Sequence, residues 1–185
     1  MNILVEHPGH RVTYRPDTTW EKNGGDFYPQ DDISRLYFSP VLYARILKPG
    51  RSIVPRFAHR HYDCAGYGLL FYDGEKIQEG GLTSFSEASC IDRTSFLPYP
   101  APEIPLGGVY RIECNGKEVF QGDGGSRNAL EASLVHISSH IYLRTGDMVC
   151  LELSPAAFLA ERSEGDLRIK GMLDGTPLFE FQVIV

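Results

Sequence analysis

Residues 109–153 read VYRIECNGKEVFQGDGGSRNALEASLVHISSHIYLRTGDMVCLEL, and this stretch decides the fold. Val109 to Cys114 and Lys117 to Gln121 flank Asn115-Gly116, a dipeptide that supplies the two positive φ angles of a tight hairpin turn. Leu130, Leu134, Ile137 and Ile141 follow at spacings of 4, 3 and 4, which makes one apolar stripe on a helix. Ser126 is its expected N-cap, because a serine hydroxyl accepts from an orphan amide of the first turn. Gly146 closes the segment, and Met148 to Leu153 reads as a strand.

Outward from this unit the chain stays strand-rich. Ile3 to Val5 and Arg11 to Arg15 read as strands around Pro8-Gly9, and Val41 to Leu47 as a strand stopped by Lys48-Pro49-Gly50. Tyr67 to Tyr72 and Lys76 to Glu79 are expected to pair across Asp73-Gly74-Glu75, and Leu167 to Met172 with Leu178 to Val185 across Asp174-Gly175. Thr18 to Asp32 reads as a loop carrying Trp20, Phe27 and Tyr28. The expectation is one mixed α/β, β-rich domain over residues 1–185 with one main amphipathic helix: strands and a loop over 1–40, a β-roll over 41–185.

The 185 residues include 42% apolar and 23% charged side chains, a globular balance. Eighteen Lys and Arg against 24 Asp and Glu give a net charge of −6, and the cations are scattered. This excludes a dominant nucleic-acid role, which needs a basic stripe. No stretch approaches the ~20 apolar residues of a membrane span, and no secretory signal is evident. The widely spaced Cys64, Cys90, Cys114 and Cys150 form no Cys-x-x-Cys pair and are expected as reduced thiols. A cytoplasmic location is the expectation.

The order of the 109–153 segments resembles the C-terminal half of the fumarylacetoacetate hydrolase family: an Asn-Gly hairpin, a glycine-rich Gln121–Ser126 turn, an amphipathic helix, and Leu143-Arg144-Thr145-Gly146-Asp147 entering a strand. Leu47-Lys48-Pro49-Gly50-Arg51-Ser52-Ile53-Val54, Pro98 to Ile104 and the C-terminal hairpin are similar to further parts of that family, so about two thirds of the chain takes part. The resemblance implies a mixed β-roll or barrel, a homodimer, and a hydrolase, lyase (decarboxylase or hydratase) or isomerase of small 2-oxo or 1,3-dicarbonyl acids. It also implies a Mg²⁺ or Mn²⁺ ion held by a Glu-x-Glu strand and a downstream Asp, since hard cations take oxygen ligands. The matching strand here is Gly66-Tyr67-Gly68-Leu69-Leu70-Phe71, with glycines where those carboxylates belong. Asp92 is the candidate third ligand, and the family's substrate-binding Thr-Gly-Thr is replaced by Leu151-Glu152-Leu153-Ser154-Pro155.

Other constellations carry chemistry of their own. In an extended segment His59, His61 and Asp63 share one face, and two imidazoles with a carboxylate suit Zn²⁺ or Fe²⁺. That string resembles the His-x-His-x-Asp motif of metallo-β-lactamase-type hydrolases, set against a plain polar rim of a cleft. His136 and His140, one helical turn apart, can chelate a metal, but surface histidines are the simpler reading. Cys90 beside Asp92 and Arg93 is an activated thiol or a buried one. Gln121 to Arg127 lacks a P-loop pattern and reads as a helix entry turn.

Two functional expectations stand side by side. One is an enzyme of the implied class, with His59, His61 and Asp63 as catalytic residues, Asp92, His61 and Asp63 toward a metal, and Arg93 and Arg127 holding a small carboxylate ligand. Its ion is Mg²⁺ or Mn²⁺ if the family chemistry persists and Zn²⁺ if the histidine motif forms. The other is a non-catalytic relative that binds a small ligand or a partner.

Overall fold

A computed structural model describes all residues, 1–185. Twelve strands form two sheets. The larger sheet contains β1 (Asn2–His7), β2 (Arg11–Pro16), β3 (Trp20–Glu21), β4 (Arg35–Ile46), β5 (Tyr62–Asp73), β6 (Ser95–Phe96), β9 (Met148–Glu152) and β10 (Ala157–Glu161). Its order is β2-β1-β9-β4-β5-β6-β3, with β10 also paired to β4. The smaller sheet runs β12-β11-β7-β8, from β7 (Val109–Cys114), β8 (Lys117–Asp123), β11 (Leu167–Leu173) and β12 (Thr176–Val183). Helices α1 (Gly74–Glu79), α2 (Gly81–Ser89) and α3 (Arg127–His140) complete the mixed α/β, strand-rich fold.

Alternation along β4 and β5 divides the interior. Leu42, Ala44, Tyr67, Leu69 and Phe71 face the smaller sheet and pack with Tyr110, Ile112, Ile169 and Phe181. The opposite face carries Val41, Tyr43, Leu70 and Tyr72, packed with Leu97, Ala88 of α2, and β1 and β9. The apolar stripe of α3, Leu130 aside, covers a third cluster with Leu4, Ile46, Ile53 and Val149. Phe27 pins the 18–32 loop to the core by stacking on Phe71, at 5.3 Å between ring centres.

The local signals read from the sequence form where the decisive chemistry is local. Asn115 and Gly116 have φ of 51° and 75°, and Asp174 and Gly175 of 47° and 81°, the two-residue turn in which both positions are left-handed. Ser126 Oγ accepts from Ala129 N at 3.2 Å and caps α3.

Two expectations fail. Asp73-Gly74 starts a helix instead of a hairpin: Asp73 Oδ1 accepts from Glu75 N at 2.9 Å and Lys76 N at 3.4 Å, so the carboxylate caps α1 and Lys76–Glu79 is helical. The 3₁₀ turn over Pro55–Arg60 carries His59, and His61 follows in a helical conformation (φ −99°, ψ −7°). His59, His61 and Asp63 therefore do not line one strand face. The strands of residues 1–40 join the larger sheet. β1 lies between β2 and β9, and β4 begins at Arg35.

Candidate active-site cleft

A cleft of about 400 Å³ opens where β5 begins, between the 101–106 segment and the N-terminus of α3. Its polar lining is Tyr62, Asp63, Cys64, Glu103 and Arg127. Arg127 Nη1 donates to Tyr62 Oη at 2.7 Å, and Tyr62 Oη donates to Glu131 Oε1 at 2.9 Å. Arg127 and Glu131 are four apart on α3, so one helix face presents both to the tyrosine. Burial and then the Glu131 carboxylate push the Tyr62 hydroxyl above its ordinary value, so it stays a phenol and a donor. Arg127 is exposed and its one side-chain hydrogen bond goes to a neutral oxygen. Its guanidinium keeps free donors for a carboxylate, which it can grip in bidentate fashion.

Deeper along β5 the face that carries Leu70 and Tyr72 also carries Gly66 and Gly68. These positions are closed. A Cβ at Gly68 would lie under 3.0 Å from the backbone carbonyl oxygen of Phe96 and 3.1 Å from Leu97 Cδ2. A Cβ at Gly66 would meet Ala101 Cβ at 2.9 Å and Tyr43 Oη at 3.0 Å. Tyr43 is fully buried and donates to Pro98 O. The place where a Glu-x-Glu pair would stand is filled by a tyrosine ring, a leucine and backbone. At these two positions the chain therefore offers no oxygen ligand to a Mg²⁺ or Mn²⁺ ion, which needs several converging on one point.

The other predicted site residues are dispersed. His59 is exposed on its 3₁₀ turn. His61 Nδ1 donates to Lys48 O at 2.9 Å, which ties two loops together. Asp63 accepts from Arg45 Nη1 at 2.7 Å, and that guanidinium stacks over Tyr99 at 4.6 Å. Asp92 lies on the wrong side. The antiparallel register Leu69↔Phe96 and Leu70↔Ser95 carries residues before β6 toward the Asp73 end of β5, away from Gly66 and the cleft. Its neighbour Arg93 is engaged by Glu21, at 2.9 Å through Nε and 2.6 Å through Nη2, and does not reach the cleft. Of the residues named from sequence, the structure brings together Asp63 and Arg127. Cys90, exposed beyond α2, is not buried, while burial pushes the Cys64 thiol up and the Cys150 thiol up to about 12.

Sequence reasoning missed the parts played by Tyr62, Glu131 and Tyr43. The i, i+4 spacing of Arg127 and Glu131 was the available signal for one of them. Nothing local marks Tyr43, whose role depends on the strand pairing Tyr43↔Gly66.

No protein-family model and no curated protein matches the sequence. Solved structures do match along the whole chain. A structure assigned to the fumarylacetoacetate hydrolase family, from Yersinia pestis CO92, is 16% identical with a TM-score of 0.77, over 99% of this chain and 92% of that one. Fumarylpyruvate hydrolase from Pseudomonas aeruginosa, solved with Mn²⁺ and pyruvate, is 14% identical with a TM-score of 0.79, over 100% and 90%. 2-Hydroxyhepta-2,4-diene-1,7-dioate isomerase from Mycobacterium marinum is 14% identical with a TM-score of 0.80, over 99% and 74%. At these identities the likeness is one of fold.

Proposed function

We propose that this chain, whose fold is that of the fumarylacetoacetate hydrolase family, is a divergent member of that fold that binds a small carboxylate without the metal-dependent chemistry that the sequence resemblance implies. The observation that carries the reading is the closure of the Gly66 and Gly68 face by Tyr43, Leu97, Ala101 and the Phe96 carbonyl. Side chains long enough to ligate an ion have no room there, and the glycines offer none. What the cleft retains is recognition. Arg127 stands at its rim with free donors, Tyr62 orients the guanidinium, and Ile104 and Leu106 give an apolar wall for a short carbon chain. The pyruvate and Mn²⁺ of the Pseudomonas structure support a 2-oxo acid as the first probe.

Calorimetric titration with pyruvate and acetylpyruvate, with and without Mn²⁺ or Mg²⁺, tests this. The expected result is binding that is independent of the ion and falls at least tenfold in Arg127→Ala. Acylpyruvate cleavage that requires Mn²⁺ or Mg²⁺ overturns the reading and restores the metalloenzyme. A homodimer belongs to the same proposal, and sedimentation equilibrium measures it directly.

A further inference from the structure

A cluster of two imidazoles and a carboxylate lies away from the cleft, where the β1–β2 turn meets the C-terminal half of α3. Glu6 on β1 is buried, with its side chain 4% exposed. Its Oε1 receives two imidazoles: His10 Nδ1 at 2.7 Å and His136 Nδ1 at 2.9 Å. One ligand atom from each of the three residues lies within 4.8 Å of the others. The two rings meet edge to face, 5.4 Å between centres, and both turn Nδ1 toward the same carboxylate oxygen.

Two further observations set this group apart from a surface ion pair. Glu6 Oε2 is also buried and has no hydrogen-bond partner. An idle carboxylate oxygen out of water is costly, and a cation beside it removes the cost. His10 holds a left-handed backbone, φ 60°, immediately after the Pro8-Gly9 turn. A non-glycine residue takes that conformation at a price the rest of the site must offset, and here it aims an otherwise exposed imidazole at Glu6.

We propose that Glu6, His10 and His136 form a binding site for Zn²⁺ or a similar borderline transition-metal ion. Two imidazole nitrogens and one carboxylate oxygen are the donor set such an ion takes, leaving a fourth position to water; Mg²⁺ and Ca²⁺ prefer all-oxygen sites. The ion fastens the β1–β2 turn to α3. His136 stands nine residues beyond Arg127 on α3, about 14 Å along the axis, so the site is separate from the cleft and does not rest on the function proposed for it.

Zn²⁺ titration at neutral pH, read by calorimetry and thermal shift, tests the assignment, with His10→Asn as the principal variant. Asparagine keeps the left-handed backbone and removes the imidazole, and the side chain of His10 is 83% exposed, so the variant folds. His136→Ala tests the second imidazole, and His59→Ala and Cys90→Ser report on metal held elsewhere. The expected result is one Zn²⁺ per chain and a Tm rise of about 5–10 °C at a hundredfold excess over Kd. Affinity should fall at least tenfold in His10→Asn and His136→Ala and stay unchanged in the two controls. Co²⁺ should give visible ligand-field bands that His10→Asn abolishes. No Zn²⁺ binding, or binding that survives both site variants, overturns the proposal.

Discussion

The substitution Gly68→Ala isolates the argument that the metal position is closed. Gly68 has no left-handed backbone to lose, so the only question is space. The obstacle to its Cβ is the Phe96 carbonyl, a backbone atom of the paired strand β6, which cannot rotate away as a side-chain end can. Overpacking of a dense interior costs about 3 kcal/mol at the upper end of the ordinary range. Restricting the unfolded chain by replacing glycine returns about 0.7 kcal/mol. The net loss is about 2 kcal/mol, or a Tm fall of about 4–8 °C for a chain of this size. Gly25→Ala is the control: its Cβ would meet only Arg93 Nη2 at 3.3 Å and Glu21 Oε1 at 3.8 Å, both ends of flexible side chains. It should stay within about 0.5 kcal/mol of the parent. Urea denaturation of the three proteins gives the comparison. A Gly68→Ala protein as stable as the parent would mean that the strand has room for a side chain, and the case against a carboxylate there would fall with it.

Other expectations follow from the buried polar network and the helix starts. Glu152 is 8% exposed and accepts from Ser39 Oγ at 2.6 Å and from His7 Nδ1 at 2.9 Å, so Glu152→Ala should cost about 3 kcal/mol in urea denaturation, and its effect should not add to that of His7→Ala. For Glu21, burial pushes the carboxyl up, but Arg93 and the Asn23 and Gly25 amides outweigh it and hold it below its ordinary 4.5. A lowered folded-state value contributes stability above the unfolded value that is lost as pH falls through the folded one. Denaturation midpoints should therefore drop below about pH 4.5, and less steeply in Arg93→Ala; an unchanged acid profile would refute the pairing. Asp73→Ala should cost about 1 kcal/mol by uncapping α1, and Asp73→Asn should recover most of it, as equilibrium unfolding of both variants will show.

What the sequence made legible was what neighbouring residues decide. The Asn115-Gly116 and Asp174-Gly175 turns need two left-handed positions, and the stripe of α3 needs only its own period. The same reasoning misread Asp73-Gly74, because an aspartate before glycine serves a hairpin turn and a helix cap equally well. There the choice falls to the packing of Ile77 against the second core cluster, which is not local. The His59–Asp63 motif was misread for a nearer reason: Pro55 opens a 3₁₀ turn and removes the alternation that a shared face requires. The glycines at 66 and 68 were visible as missing ligands, but whether that leaves a vacant pocket or a packed wall depends on Tyr43, which pairing brings from β4, and on Leu97, which follows β6. Glu6 and His136 are 130 residues apart, beyond any pattern in the chain.

The packing around β5 also bears on why the glycines come together. On the proposed reading, a strand that loses its ion cannot keep its carboxylates, because a buried charge without a partner costs several kcal/mol. Removing one carboxylate leaves the other unpaired, and removing both leaves a cavity that is costly in its own right. Filling that cavity with Tyr43, Leu97 and Ala101 resolves both penalties. It also makes the change hard to reverse: a glutamate returned at position 68 meets a backbone carbonyl before it meets a second ligand. Arg127 is free of this constraint. It stands at the rim, exposed, in the first turn of a helix anchored further along by Leu134 and Ile137, so on the proposed reading carboxylate recognition persists without the metal. The fold is held by the two sheets and the stripe of α3, none of which needs an ion. On the proposed readings, that independence lets one architecture carry an arginine-based binding cleft at one end of α3 and a histidine–glutamate cluster near the other.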